Sequence, residues 1–594
     1  MQRLLTILTI FAITALLASC AKSPYMSPQY LPPTSAKVDF SPVDDNPMVS
    51  QGDLEALKTT NQLIDAGEYN AAQQYITQIS LTNLSPELIP YYQLMQARLA
   101  SAYNQPNIAL QYLSKIDQQL LKSDTQLFVL HLQAWNFYHN NQPLSSGFTR
   151  ITMQPYFGTD TQLINYNNKA IWQDMSLGTY QRLKANKYNS QGDKRAWLDI
   201  AIISKRDANN TTQLVNALSD WQNTYPNSSA NRILPSAKDR DALLQTPIPK
   251  NITLILPLSG KFAALGAAVR NGFMSAYYAA SNKPQINFCD TASTSAEACY
   301  QQAQNDGTDF IIGPLTKENV KHIANRKTDT PTLTLNYTDD GSASNNVIQF
   351  GLSPIDEAQE VADLAWRQGH LNAIIIAPSD HKGSQVESTF VQHWQSLGGN
   401  VTETLHYQTN TPLAPQISQL LLVNNSQARE SELTKQLGER IQHKLRRRQD
   451  FDMVFLIATP QSGREIKPLL KFYYANNIAV YSTSSIYTGT PNQHADRDLN
   501  GVRFCDTPWL ASSQYRPQQQ NLTNLWKSEY VKLSRLYALG KDAFLISQNF
   551  ERLRTLPNFP LQGATGDLTL TSEHRIYRQL ICTEFYYGIP KTLR

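Results

Sequence analysis

The chain has 594 residues, with 52 Lys and Arg against 48 Asp and Glu and a formal charge of +4 at pH 7. A charge so close to balance offers no electrostatic case for a nucleic-acid partner. The length supports at least two domains.

Met1-Gln2-Arg3 is followed by an apolar run from Leu4 to Leu17, broken by Thr6, Thr9 and Thr14. This is the shape of a secretory signal, too short for a stable transmembrane helix, which needs roughly 20 apolar residues. Leu17-Ala18-Ser19-Cys20 resembles the bacterial lipobox. Residues 1–19 are therefore read as a lipoprotein signal peptide and Cys20 as the lipidated residue. Ala21, not Asp, implies by the same resemblance an address in the outer membrane. The rival reading is an ordinary signal cut elsewhere, with Cys20 a stray thiol. Residues 20–50, rich in Pro and Ser, are expected to be a tether. No later stretch approaches membrane-spanning length, so lipid would be the only anchor.

From 51 to 226 apolar residues return every three or four positions, which predicts a wholly helical domain. A weak repeat runs through it: Gly67-Glu68-Tyr69 aligns with Asn104-Gln105-Pro106, 37 residues on, and Asn141-Gln142-Pro143 recurs at the same interval. A turn followed by a helix carrying Ala and an aromatic resembles the tetratricopeptide unit, whose usual period is about 34. Stacked pairs of this kind form a curved array with an inner surface for protein segments. The alternative is a non-repetitive helical domain. Leu218 to Pro226 reads as the closing helix, and residues 227–250 as a linker.

After the linker the rhythm changes. Asn251 to Pro257 is a short apolar run of the kind that forms a buried parallel strand. Strands are expected near Ile286–Phe288, Phe310–Ile312, Pro331–Leu335, Ala373–Ala377, Asn400–Tyr407, Met453–Ile457 and Ile478–Tyr481, with helices between most of them. Two such series imply two α/β lobes, the first over about 251–352 and 508–556, the second over about 353–507 and 557–594. Ligands of open parallel sheets sit at the carboxyl ends of strands. Ser259, Thr316, Asn336, Tyr337, Asp380 and His381 are thus candidate cleft residues, each of which could instead simply end a strand or cap a helix.

Besides Cys20 the cysteines are Cys289, Cys299, Cys505 and Cys582, an even number in an oxidising compartment. Three pairings are open. Cys289 with Cys299 is preferred because one ends a predicted strand and the other lies early in the next helix, leaving Cys505 with Cys582. Four reduced, buried thiols are the alternative.

A search for chemistry returns little. Ser259-Gly260-Lys261 ends like a phosphate loop, but Ile255 stands where the first glycine is needed. Ser379-Asp380-His381-Lys382 has Ser-x-x-Lys spacing with no Lys-Thr-Gly after it. No Gly-x-Ser-x-Gly or His-Glu-x-x-His occurs. Neither enzyme activity, nor a metal, nor a cofactor is expected. The basic cluster Lys444-Leu445-Arg446-Arg447-Arg448 ends a predicted helix from about Gln416; it reads as a solvated helix terminus, with an acidic partner or lipid headgroups as alternatives.

Leu254-Ile255-Leu256-Pro257-Leu258-Ser259-Gly260-Lys261-Phe262, with Arg270-Asn271-Gly272-Phe273, resembles the opening of type I periplasmic binding proteins, as does Asp309 to Leu315. Pro314 to Val320, Phe350 to Ala358, Ala458-Thr459-Pro460 and Leu536 to Ala543 are similar to the LpoA lipoprotein family. That resemblance implies a tetratricopeptide-like array ahead of a two-lobed binding-protein fold. It also implies an outer-membrane lipoprotein that activates a bifunctional class A penicillin-binding protein without catalysing a reaction. The rival is a lipoprotein that binds a small ligand, an amino acid or a wall fragment.

Overall fold

The computed structural model describes residues 37–593 apart from 327, 339–342, 409–410 and 438–444. Cys20, the signal segment and most of the expected tether lie outside the described residues, as does Lys444. Among the described residues no helix is long and apolar enough to cross a membrane.

The described elements before Asn251 are helical. Gln51–Asp65 pairs with Tyr69–Thr77, Ile89–Ala102 with Pro106–Leu113, and Ser123–His139 with Pro143–Thr152; Thr161–Ser176 then packs on Pro143–Thr152, and Gly192–Arg206 packs on both Tyr180–Tyr188 and Thr211–Thr224. The 37-residue repeat has a backbone cause. Gly67, Asn104 and Asn141 adopt left-handed φ of 78°, 54° and 54°. The next amide closes back on the preceding helix: Glu68 on Leu63 at 2.8 Å, Gln105 on Ala100 at 2.8 Å, Gln142 on Phe137 at 2.9 Å. This is the Schellman ending, and Gly and Asn are the residues that reach its conformation at least cost. Pro106 and Pro143 then open the next helix, where a missing N–H costs nothing.

Both flanks of the helical half differ from expectation. The tether is shorter than 20–50, because apolar side chains at its end find a core: Phe40 stacks on Tyr91 with ring centroids 4.8 Å apart, and Val43 and Val49 are buried beside Leu54 and Leu57. The 227–250 linker is folded. Ala237–Gln245 is a helix, and Ala230, Ile233 and Leu243 join the core of Trp197 and Trp221. Ser236 accepts from the Asp239 amide at 3.1 Å, so this serine marks a helix cap and not a flexible segment.

Among the described residues from Asn251 onward there are three sheets. β1 (Asn251–Leu256), β2 (Gln285–Asp290), β3 (Phe310–Ile312), β4 (Thr332–Thr334) and β5 (Val347–Gln349) form a parallel sheet in the order β2-β1-β3-β4-β5. β6 (Asn372–Pro378), β7 (Asn400–Tyr407), β8 (Met453–Leu456), β9 (Ala479–Ser482) and β10 (Val502–Asp506) build the parallel part of the second. β11 (Leu561–Gln562), β12 (Asp567–Leu570) and β13 (Ile576–Gln579) make a small antiparallel sheet. β14 (Ile581–Tyr586) and β15 (Ile589–Thr592) complete the second sheet in the order β15-β14-β10-β9-β8-β6-β7, both pairing antiparallel. Runs such as Leu254-Ile255-Leu256 and Ile374-Ile375-Ile376 are buried on both faces, as a helix-covered parallel sheet requires.

Residues 557–579, expected in the second lobe, belong with the first: Leu561, Leu568 and Ile576 are buried beside Leu254, Ile312 and Phe350. The chain rejoins the second lobe near Leu580, where Leu580 and Phe585 enter its cores. Cys289 is bonded to Cys299, with Cα atoms 5.8 Å apart. Cys505 is bonded to Cys582, its direct partner in the β10–β14 register, at 3.9 Å between Cα atoms.

The helical half is docked on the first lobe. Leu556 and Phe559 are buried in a helical core with Trp172 and Leu214. The Trp172 indole donates to the Asn558 carbonyl at 2.9 Å, and Asn209 and Gln562 exchange bonds of 2.8 and 2.9 Å.

Candidate functional site

The fold itself uses most of the side chains expected in the cleft. Ser259, after β1, donates its hydroxyl to Asp290 at 2.6 Å; this bond and the Ala292 amide hold the Asp290 carboxyl below its ordinary pKa. Thr316 is the N-cap residue of helix Lys317–Ile323, with no capping bond from its side chain. The Asn336 amide donates to the Leu315 carbonyl at 3.1 Å, and its oxygen accepts from the Tyr337 N–H at 3.0 Å. Tyr337 is buried. Its hydroxyl lies 3.2 Å from the Gly351 carbonyl, 3.4 Å from Asp356 Oδ2 and 3.3 Å from the Ile576 carbonyl, and the Arg575 guanidinium stands 4.2 Å from its ring centroid. Burial, with Asp356 beside it, pushes the phenol pKa upward. Asp380 caps helix His381–Leu397 through the Gly383 amide at 2.6 Å, and His381 is exposed at the start of that helix. Half-buried Asn336 and buried Tyr337 thus sit beside the Leu315–Thr316 peptide, while Ser259, Asp380 and His381 end a strand or begin a helix.

A group of buried ionisable side chains lies where the chain crosses between lobes. Helix Pro354–Arg367 buries Asp356, Glu357 and Glu360 together with Ala358, Val361 and Ala365. Glu357 Oε2 accepts from the Ser484 amide at 2.9 Å. Asp506, ending β10, takes bonds of 2.9 and 2.6 Å from Arg535, which also reaches the Ser484 and Tyr487 carbonyls at 3.1 and 3.2 Å. Arg575 stands 3.7 Å from Asp356, and the Tyr577 hydroxyl meets Glu360. Buried charge persists only where it is paired and hydrogen-bonded, and here the pairs join first-lobe Arg535 to second-lobe Asp506 and Ser484. Burial pushes Asp356 and Glu357 above the usual carboxylate range. It pushes Glu360 up to about 8, with Asp363 adding to the effect and Arg367 and Arg578 opposing it. The arrangement clamps two lobes together.

The basic cluster is not a solvated helix end. Leu422 takes a φ of 56° between helices Leu413–Leu420 and Val423–Leu437, and residues 445–450 carry no helix. Arg447 is buried, donating to the Tyr474 carbonyl at 3.1 Å and to the Arg448 carbonyl at 2.6 Å. Arg448 pairs with Asp450 at 2.7 Å and Glu403 at 3.3 Å. Only Arg446 among the three arginines is exposed. Several large apolar side chains are exposed near the amino-terminal ends of β9 and β10: Phe472 is 71% exposed, Tyr474 47%, Tyr586 50% and Tyr587 59%, with Lys591 4.0 Å from the Tyr586 ring centroid.

Residues 49–588, spanning the helical half and both lobes, match the family described as "LppC putative lipoprotein". The chain belongs to the LppC lipoprotein family. Its relatives include proteins named "Penicillin-binding protein activator LpoA". That of Photobacterium profundum is 26% identical over 527 residues, 87% of this chain and 85% of that protein. That of Vibrio antiquarius is 24% identical over 597 residues, 97% and 98% of the two chains. The crystal structure of full-length LpoA from Haemophilus influenzae aligns with 91% of this chain and 94% of its own, at a TM-score of 0.52 and 24% identity, which establishes a common fold.

In this LppC-family chain the sequence reading missed the crossover charges. Their signal is present: Asp356, Glu357 and Glu360 sit on the apolar side of an amphipathic helix, where Ala358, Val361 and Ala365 leave no wet face for them. Glu360 gives a measurable consequence. Its folded pKa of about 8 exceeds the ordinary 4.5, so the folded chain keeps a proton that the unfolded chain releases. The penalty is absent below about pH 4.5 and complete above about pH 8. Glu360→Gln is therefore expected to come within about 1 kcal/mol of the parent's stability at pH 5 and to exceed it by about 4 kcal/mol at pH 8. Melting curves at several pH values check this, and a stability difference that does not vary with pH would contradict it.

Proposed function

We propose that this chain is a non-catalytic regulator of peptidoglycan synthesis, anchored through Cys20 in the outer membrane, that binds and activates a bifunctional class A penicillin-binding protein. The observation that carries this reading is the family match over 49–588, across which the relatives bear the name of penicillin-binding protein activators. The clamped lobes support it. An activator needs a rigid face that binds the active synthase more tightly than the inactive one, and Arg535–Asp506 with its neighbours supplies rigidity. The exposed aromatics Phe472, Tyr474, Tyr586 and Tyr587 suit the contact, since aromatic anchors dominate protein interfaces.

The test is glycan polymerisation and crosslinking by the synthase from the same organism, with and without the purified chain lacking residues 1–20. Stimulation together with direct binding is expected; a chain that neither binds nor stimulates would end this reading. Ligand binding in the inter-lobe cleft has less support, because Ser259, Asn336, Tyr337 and Asp380 already hold partners within the protein.

A further inference from the structure

Between the helical half and the C-terminal half lies a cavity of about 310 Å³, within the roughly 300–1,000 Å³ range of small-molecule sites. Helix Thr161–Ser176 supplies one wall with Lys169, Trp172 and Gln173. Helix Pro354–Arg367 supplies another with Glu360, Asp363 and Arg367, and β13 adds Tyr577 and Gln579. Both sides are held in place. Trp172 is tied to the Asn558 carbonyl at 2.9 Å and lies 5.3 Å from the Phe559 ring, and Lys205 reaches Asp567 across the junction at 3.6 Å.

The charges in the wall are mostly spoken for. Asp363 is held by His393 at 2.9 Å, Asp567 by Lys205, Glu360 by the Tyr577 hydroxyl, and Arg367 lies against the Tyr138 hydroxyl. Among the described residues the side chains of Gln173, Gln579 and Lys169 make no hydrogen bond or ion pair, although all three line the space. Two amides offer paired donors and acceptors, which match neighbouring hydroxyls on a ring. Tyr138, Trp172 and Tyr577 line the same space and bring aromatic carbon to its wall, which suits the C–H surfaces of a ring. One unpaired cation, Lys169 at the exposed edge of the space, matches one anionic substituent. An apolar ligand would strand the amides. A free amino acid would need an unpaired carboxylate for its ammonium group, and a phosphate monoester brings close to two charges against one cation.

We propose that this junction cavity binds a saccharide ring carrying one carboxylate, with Gln173 and Gln579 on ring hydroxyls and Lys169 on the carboxylate. The site differs in place from the inter-lobe cleft and stands independently of synthase activation.

Titration of the full soluble chain with glucose, N-acetylglucosamine, glucuronate and N-acetylmuramate, followed by melting temperature and tryptophan emission, tests it. At least one of the two acids is expected to raise the melting temperature by mass action. Gln173→Ala or Gln579→Ala, each half-buried in the wall, is expected to weaken that binding about tenfold, the loss of one hydrogen bond. Lys169→Gln is expected to erase the preference for the acid over its neutral counterpart. None of the three side chains bonds within the protein, so the unliganded melting temperatures should match the parent's and separate binding from folding. The proposal is overturned if none of the four sugars binds, if neutral and acidic sugars bind the parent equally, or if all three variants bind like the parent.

Discussion

Replacing Cys505 and Cys582 together by alanine is expected to destabilise the second lobe by about 4.5 kcal/mol, the loop-closure value for a sequence separation of 77. The same arithmetic gives about 2.7 kcal/mol for Cys289 and Cys299, whose separation is 10. The larger figure has a topological counterpart. Between Cys505 and Cys582 the chain leaves the second lobe, runs through helix Arg516–Ser547 and the β11–β13 sheet of the first, and returns as β14. The bond therefore fastens the returning strand to β10 at the place where the chain re-enters the sheet. Denaturant unfolding of the two double variants under non-reducing conditions measures both costs. If the 505/582 variant lost no more stability than the 289/299 variant, loop entropy would not be the main contribution.

Gly272→Ala and Gly540→Ala are each expected to cost about 3 kcal/mol or more, beyond ordinary overpacking, because the obstructing atoms are backbone. A Cβ at Gly272 would lie 1.9 Å from the Tyr537 carbonyl oxygen, and one at Gly540 2.0 Å from that of Val269. Helices Ala263–Ala279 and Arg516–Ser547 thus touch backbone to backbone at two places, and neither carbonyl can swing aside as a side chain would. The whole helix must shift, taking Val269, Phe273, Leu539 and Phe544 out of register in the first-lobe core. A shift made for one methyl also makes room for the other, so the double variant should cost less than the two singles combined. Gly52→Ala is the control, since its Cβ would meet nothing nearer than 4.0 Å. Equal melting temperatures for Gly52→Ala and Gly272→Ala would refute the close approach.

Much of the architecture was legible because it rests on local rules. The turn at Asn104 recurs at Asn141 since each needs a left-handed residue followed by a proline that opens a helix, and both requirements are written in residue types. Buried parallel strands such as β1 and β6 announce themselves as uninterrupted apolar runs. The misreadings share a cause. Segment 227–250 looked like a linker because its Pro and Ser are also cap residues, and only Trp197 and Trp221, distant in sequence, provide the core that Ile233 and Leu243 fill. Arg447 looked solvated because nothing local shows that the Tyr474 and Arg448 carbonyls await it. The small β11–β13 sheet went unread because its short strands mix polar and apolar residues, as in Asp567–Leu570 and Ile576–Gln579, and carry no apolar run like that of β3.

The candidate cleft shows the same division. Strand ends located Ser259, Asn336, Tyr337 and Asp380, but whether their hydrogen-bonding groups are free is a matter of neighbours such as Asp290, Leu315, Gly351 and Gly383. The sequence by itself determined the helical half, the two parallel series and the residues that turn the chain, since periodicity and backbone preference act within a few positions. The tertiary structure alone decided that residues 557–579 return to the first lobe, that Arg535 clamps Asp506 across the lobes, and that Gln173 and Gln579 face one cavity. Each of these depends on burial and pairing between residues far apart in the chain, and no spacing in the sequence records it.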